Sequence, residues 1–411
     1  MRVCVTTEQR FERTPDGRIW ALSTFRYDFW LRYLEVFDEV LVFARVQDVQ
    51  SPSSTQEVSG PGLSFAPLPY YVGAKGYFLS APRILQKMRA TISPEDAMIL
   101  RLPSLMSCGF DKYLRLKKRP YGVEVRGDPY DVFASDAIGV PNLPMLNVSQ
   151  LAGSFFAHDL ASQCFHACAA AYVTETFLQR RYPSGPNTFS THYSSIKIGD
   201  EAYVETHKAF APKPKGEPYV LATMGSLEQM YKAPDIFIEA VSTCIHSMDL
   251  NLKVLFMGSG KHMDEMKAYA KHKGIEKEFQ FLGHLNGGDA VRAQLDKADL
   301  FVLPSRTEGL PRAMIEAMAR GLPCIGTTVG GIPELIPEED RVPVDDAPAL
   351  ARKIKAFLTS PERMVHTAER NLKKSREYHT DILSQRRRDM YQHVKETTLD
   401  WIRNKKTSFF S

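Results

Sequence analysis

The run Ser305-Arg306-Thr307-Glu308-Gly309-Leu310-Pro311-Arg312-Ala313-Met314-Ile315-Glu316-Ala317-Met318-Ala319-Arg320-Gly321 follows four apolar residues, Leu300-Phe301-Val302-Leu303. An apolar run closed by a polar turn predicts a strand buried on both faces, and the segment beyond Pro311 predicts a helix that Gly321 stops. Two carboxylates, Glu308 and Glu316, thus flank a strand-to-helix junction. At such junctions α/β folds turn backbone N–H groups toward anionic ligands.

Around that junction the alternation repeats. Strand patterns at residues 219–222, 252–257, 279–282, 300–303 and 323–326 are each followed by a loop and mostly by a helical pattern, which predicts a parallel Rossmann-like sheet. Upstream, residues 1–6, 40–43, 98–100, 123–125 and 171–174 form an earlier set of buried-strand patterns. Residues 8–18 read as a polar loop with the turn signal Thr14-Pro15-Asp16-Gly17, residues 25–37 as a buried helix, and residues 47–76 mostly as loop with a weak strand near 63–68. Prolines, a glycine and charges mark residues 206–218 as a linker. The expected organisation is an α/β protein with domains at 1–205 and 219–378, and a helix over 379–411 that crosses back onto the first domain. A chain of 411 residues is long enough for two such cores.

Composition excludes several classes. Hydrophobic content of 44% and charged content of 24% are those of a folded globular protein. A net charge of +4, from 52 basic and 48 acidic residues, gives no bulk attraction for nucleic acid. The six cysteines have no framework spacing, which fits reduced thiols and a cytoplasmic location. No signal-peptide pattern opens the sequence and no apolar run reaches the ~18–20 residues that span a bilayer, so any membrane contact is expected to be peripheral.

The motifs now combine. Glu308-Gly309-Leu310-Pro311, Glu316-Ala317-Met318-Ala319-Arg320-Gly321-Leu322-Pro323 and Val329-Gly330-Gly331-Ile332-Pro333-Glu334-Leu335-Ile336 together resemble the retaining family-4 glycosyltransferases of the GT-B fold, the glycosyl transferases group 1. The resemblance implies two Rossmann-like domains facing a central cleft, with an acceptor on the first and a nucleotide-diphosphate sugar on the second. It implies that Glu308 contacts the donor sugar and Glu316 the ribose hydroxyls. The residues alone agree: Pro311 suits a first helical turn, so the amides of Gly309, Leu310, Pro311's neighbour Arg312 and the following turn face a ligand. A fully helical stretch from 308 to 316 would span ~12 Å. The two glutamates are therefore handles on one extended ligand and not a proton-sharing pair.

A second constellation, Thr223-Met224-Gly225-Ser226-Leu227-Glu228-Gln229-Met230-Tyr231-Lys232, follows the first strand of the second domain. By resemblance, an arginine usual at the Ser226 position and a lysine at Lys232 neutralise the leaving diphosphate. Ser226 brings only a hydroxyl, so either another cation such as Arg306 or Arg312 compensates, or the activity is weak or differently tuned. Gly283, in Phe281-Leu282-Gly283-His284, falls where the nucleotide base is held, and Gly258-Ser259-Gly260 reads as a tight turn. In the first domain, relatives carry a histidine near the reacting sugar where this chain has Arg126 and Asp128. Asp128 is a candidate to accept a hydrogen bond from an acceptor hydroxyl, and Gly17 a candidate for backbone approach to the diphosphate. Each has a plainer alternative: a solvated turn glutamate for Glu308, an exposed helix-start lysine for Lys232, a turn-forming aspartate before Pro129 for Asp128.

Cys164-Phe165-His166-Ala167-Cys168 does not converge on a metal when laid on a helix, and the resembled chemistry needs neither metal nor cofactor. The run from Lys112 to Arg119 reads either as a solvated helix edge or as a contact with anionic lipid at the inner face of the membrane. The expected activity is hexosyl transfer from a nucleotide-diphosphate sugar, with uridine favoured, to a carbohydrate or lipid-linked acceptor in bacterial polysaccharide or glycolipid assembly. A catalytically weak binding or scaffold subunit of the same shape is the alternative.

Overall fold

The computed structural model describes residues 1–407 except 22–24, 55, 131–142 and 286. The first half runs β1 (Arg2–Arg13), β2 (Ile19–Ala21), α1 (Tyr27–Leu34), β3 (Glu39–Asp48), β4 (Leu63–Leu68), α2 (Gly73–Thr91), β5 (Ala97–Leu102), α3 (Phe110–Leu116), β6 (Gly122–Val125), α4 (Leu143–His166), β7 (Ala169–Tyr172), α5 (Phe177–Arg181) and β8 (Phe189–His192). Seven of its strands form a parallel sheet in the order β4-β3-β1-β5-β6-β7-β8, with β2 added antiparallel on β1. β5, β6 and β7 are buried throughout, which is why they read as largely apolar runs, broken only by Arg101 in β5 and Glu124 in β6, which pair with each other.

The second half runs β9 (Tyr219–Met224), α6 (Pro234–Met248), β10 (Leu252–Met257), α7 (Met263–His272), β11 (Phe279–Gly283), α8 (Gly288–Leu295), β12 (Leu300–Leu303), α9 (Arg312–Ala319), β13 (Cys324–Thr327), α10 (Ile332–Leu335), β14 (Arg341–Val342), α11 (Ala347–Leu358), α12 (Pro361–Ser375) and α13 (Thr380–Thr407). Its sheet is parallel, in the order β11-β10-β9-β12-β13-β14. The strand order reverses between β9 and β12, so the loops leaving those two strands border the crevice where open α/β sheets bind ligands. Those loops are the two constellations of the sequence.

The contacts that tie the halves together include a carboxylate cap and the terminal helix. Glu334 of α10 accepts hydrogen bonds from the backbone N–H groups of Glu175 (2.6 Å), Thr176 (2.9 Å) and Phe177 (2.6 Å), so a second-domain carboxylate caps the first turn of α5 in the first domain. The terminal helix α13 crosses back as expected and lies against β5 to β8. Gly122 lets it approach: a Cβ there would stand 2.7 Å from Val394 and 2.8 Å from Met390. At the seam the buried Glu124 carboxylate accepts from Tyr33 (2.8 Å), Tyr193 (2.8 Å) and, on α13, Tyr391 (2.7 Å), and pairs with Arg101 at 2.9 Å. Burial opposes the Glu124 charge, but Arg101 and the three phenols more than offset it and hold the pKa below the ordinary glutamate value.

Several sequence expectations need correction. Residues 8–13 are not loop: β1 continues to Arg13 past an irregularity between Thr6 and Arg10, because β3 extends beside it to Asp48. The helix α2 over Gly73–Thr91 and the strands β8 and β14 were not anticipated. Pro82 inside α2 masks its helical pattern, and β14 is only two residues long.

Replacing Tyr391 with Phe removes one of three phenolic donors from a buried carboxylate. The variant should lose about 1–3 kcal/mol of stability in urea unfolding; an unchanged midpoint would show that the seam does not depend on α13.

Candidate functional site

The loop after β9 turns back on itself so that Lys232 reaches across Gly225. A Cβ at Gly225 would lie 2.8 Å from the Lys232 side chain, so the missing side chain makes room for the lysine's path. Lys232 Nζ then makes a short ion pair with Glu308 Oε1 in the loop after β12, and Ser305 Oγ donates to the same oxygen at 2.7 Å. Glu308 is 8% exposed. Neither the solvated turn nor the free helix-start lysine describes these residues.

The two loops are braced from behind by glycines. Gly330 has φ +54°, and a Cβ there would overlap the Glu308 carbonyl oxygen; the Gly331 N–H donates to Gly309 O at 2.7 Å. Gly258 and Gly260, in the loop after β10, have positive φ and press their backbones on Gly225 and Leu227. The Leu227 N–H donates to Ser259 O at 2.9 Å. Gly258-Ser259-Gly260 is therefore a close-packing turn.

Arg306 does not stand in for the missing arginine at Ser226. Its guanidinium pairs with Asp235 (2.7 Å) and Asp345 (2.7 Å) and donates to Met230 O at 2.8 Å, while its backbone N–H donates to Tyr231 O. It clamps the turn that carries Lys232. Ser226 is exposed, and its hydroxyl accepts the Glu228 N–H at 3.2 Å. Arg312 is exposed and lines the interdomain cleft with Gly309 and Leu310, so of the two expected substitutes for the missing arginine it is the one that reaches the cleft.

Pro311 is the residue before α9 and not its first helical residue: its backbone is extended (φ −74°, ψ 100°), and its carbonyl accepts from Met314 N at 3.1 Å. The N-terminus of α9 still opens toward the cleft beside Gly309. Glu316, one turn into α9, is half-buried; burial pushes its pKa above the ordinary glutamate value, against the attraction of Arg312 and Arg292. Gly283 has φ +68° and its carbonyl accepts the Gly258 N–H at 2.8 Å, which sets the β11 loop beside the β10 loop.

The first domain contributes a different set than expected. Asp128 is 2% exposed: its Oδ1 accepts from Tyr182 Oη at 2.6 Å and from the Tyr130 N–H at 2.9 Å, and its Oδ2 lies 2.7 Å from the Arg181 guanidinium. These contacts pin the turn after β6 to the C-terminal end of α5. Gly17 sits at the tip of the β1–β2 hairpin, φ +83°, beside a surface hollow lined by Arg13, Thr14 and Asp48, and does not line the cleft. The cleft wall is instead Phe25, Phe29, Arg32, Arg101 and Arg126. Sequence reasoning missed Arg32 and Arg101 because they sit on α1 and β5, far apart in the chain.

Cys164 is buried, the Cys168 thiol donates to Tyr121 O at 3.3 Å, and His166 is exposed on Ser162 O. Among the described residues no cluster of His, Cys, Asp and Glu is grouped to hold a metal.

Residues 204–374 match the family described as "Glycosyl transferases group 1". The chain is similar to "Protein CapJ" of Staphylococcus aureus, 26% identical over 343 residues that span 82% of each protein. It is 31% identical over 160 residues to the "Putative colanic acid biosynthesis glycosyltransferase WcaL" of Escherichia coli K12, spanning 36% of this chain and 39% of that one. Among solved structures it resembles sucrose-phosphate synthase from Thermosynechococcus elongatus at a TM-score of 0.67 and 14% identity, over 97% of this chain and all of that one. At that identity the likeness speaks for the GT-B fold.

The buried pair is testable without any substrate. Lys232→Met leaves the Glu308 carboxylate with Ser305 alone and should cost about 3–5 kcal/mol. Adding Glu308→Gln should recover most of that loss in the double variant; additive losses would mean that the two residues are not coupled.

Proposed function

We propose that this chain, a group 1 glycosyltransferase by the family of its residues 204–374, is a metal-independent, retaining enzyme of family 4 that moves a hexosyl group from a nucleotide-diphosphate sugar to an acceptor hydroxyl. The observation that carries the proposal is the convergence of Lys232, Ser305 and Glu308 behind Gly309, where the β9 and β12 loops meet at the mouth of the cleft. A diphosphate at the opening of α9 meets backbone N–H groups, Arg312 and the Lys232 ammonium, which offset the charge that grows as the donor bond breaks. Glu308, fixed by Lys232 and Ser305, is oriented to hold the donor sugar, and Glu316 to hold the ribose. The acceptor oxygen bonds to the anomeric carbon on the face from which the diphosphate leaves, and its proton passes to a departing phosphate oxygen. We favour uridine as the base. The similarity to a protein named for colanic acid biosynthesis supports a place in bacterial polysaccharide or glycolipid assembly.

The second reading is a binding or scaffold subunit. It is favoured by Ser226, which brings no cation, and by the engagement of Asp128. Turnover separates the two readings. A transferase loses at least 100-fold in kcat with Glu308→Gln and with Lys232→Ala in an assay of sugar transfer or slow donor hydrolysis, on the nucleotide sugar picked from a thermal-shift panel. Equal turnover in native and variant proteins would overturn the site, and nucleotide binding with no turnover at all would favour the scaffold.

The acceptor's surroundings bear on localisation. No helix among the described residues is long and apolar enough to cross a membrane. The basic run is smaller than its sequence suggests, because Arg119 is buried against Asp96 O and Ser93 O, and Arg115 pairs with Asp111 at 3.0 Å. Lys112, Lys117, Lys118 and Leu116 are exposed. The outer face of α2 adds Lys75, Phe78, Leu79, Arg83 and Lys87, all exposed, with Val72 just before it. Cations with protruding apolar side chains suit a cytoplasmic protein resting on the anionic inner face of a membrane. Vesicles with 30% phosphatidylglycerol should sediment the protein, and Phe78→Ser with Leu79→Ser should release it; equal binding to neutral vesicles would contradict the proposal.

A further inference from the structure

The first-domain wall of the cleft carries more positive charge than donor binding uses. The cleft holds about 560 Å³, and besides Arg312 of the second domain three guanidiniums of the first domain line it: Arg32 from α1, Arg101 from β5 and Arg126 from the end of β6. A fourth, Arg387 on α13, stands behind it and donates to Ser194 O at 3.3 Å. The carboxylates of this wall are already occupied. Glu124 serves Arg101 and three phenols. Asp28 pairs with Lys197 at 3.1 Å. Glu8, on the far side of Arg126, accepts from Ser104, Tyr71 and the Met106 N–H and pairs with Arg45.

Three of the four guanidiniums are left without an anion among the described residues: Arg387, whose partners Ser194 O and the Tyr193 ring are neutral, and the two cleft-lining groups Arg126 and Arg32. Arg126 makes no ion pair, and its Nε is shut away from water with no acceptor. Arg32 has only the face of Phe29, 4.1 Å from its Cζ. Burial, helped by Arg101, presses the Arg126 pKa down to about 10, and burial lowers that of Arg32 as well, helped by Arg387. Both stay protonated at neutral pH. A half-buried guanidinium without a counter-charge offers an incoming carboxylate or phosphate bidentate hydrogen bonds. The Gly309 backbone faces this wall closely: a Cβ at Gly309 would stand 3.3 Å from the Arg126 carbonyl oxygen. A group seated on Arg126 is thus next to the loop that holds the donor sugar.

We propose that the acceptor is an anion, with its carboxylate or phosphate seated on Arg126 and Arg32 and its hydroxyl turned toward Gly309. The aromatic rings of Phe25 and Phe29 and the hydroxyls of Ser194 and Ser195, which line the same wall, suit a sugar ring or a polar headgroup beside that charge. This assignment rests on the glycosyltransferase reading and names its second substrate by charge.

Calorimetry on the full chain saturated with uridine diphosphate tests it, using D-glucuronate against D-glucose and glycerol 3-phosphate against glycerol. One anion should bind at least tenfold tighter than its neutral counterpart, and that preference should vanish in Arg126→Gln and in Arg32→Gln and partly return in Arg126→Lys. Preference for glucuronate assigns a uronic-acid acceptor, and preference for glycerol 3-phosphate a phosphate-bearing one. Uridine diphosphate binding, carried by the other domain, reports that each variant is folded. Equal affinity for charged and neutral probes, no binding of either anion, or a loss of uridine diphosphate affinity in step with the arginine changes would overturn the proposal. A native protein that binds no nucleotide would instead bring down the glycosyltransferase reading, and this proposal with it.

Discussion

The ion pair between Lys232 and Glu308 is the contact on which the second domain's ligand edge depends. The two residues come from loops after β9 and β12, strands that are neighbours in space and far apart in sequence. With both charges largely removed from water, the pair forms only when the two loops arrive in register, and Ser305 donates to the same carboxylate oxygen. Much of the surrounding sequence serves that arrival. Gly225 clears the path of the lysine, Gly330 and Gly331 support the Glu308 loop, Gly258 and Gly260 support the Gly225 loop, and Arg306 fixes the turn from which Lys232 departs. A side chain at any of these glycines would displace backbone or the lysine itself, which is why they are glycine.

The same logic joins the domains. A carboxylate of one domain, Glu334, satisfies three N–H groups at a helix start of the other, and α13 returns to place a phenol on Glu124. Neither contact is apolar, and both are directional, so they set the facing of the two sheets as well as their proximity. The cleft between them inherits an asymmetry: its second-domain rim is built from backbone amides and one neutralised ion pair, while its first-domain wall holds guanidiniums in excess of carboxylates.

The second domain was legible in the sequence almost strand by strand, because parallel buried strands write themselves as short apolar runs and their loops carry glycine and proline at fixed places. Glu308 and Lys232 are singled out by the motifs around them, but their pairing is not written there. What the sequence hid were relations between distant segments. Nothing in the run around Asp128 announces that Tyr182 and Arg181 will claim it. Arg306 sits beside the site in sequence, yet its charge is spent on Asp235 and Asp345. Gly17 carried a turn signal that was correct, but the continuation of β1 to Arg13 moved that turn out to a hairpin tip. Arg32 had no local signature, since its significance is the absence of a carboxylate partner, and this emerges only when every neighbouring carboxylate has been assigned.

The most direct measurement is a crystal structure of the full chain with uridine diphosphate. The account predicts the diphosphate at the opening of α9, with a phosphate oxygen within hydrogen-bonding reach of Lys232 Nζ and Arg312 and the ribose on Glu316. A nucleotide bound away from the β9 and β12 loops, or lying against Arg126 and Arg32 with Lys232 still turned from it, would contradict the account.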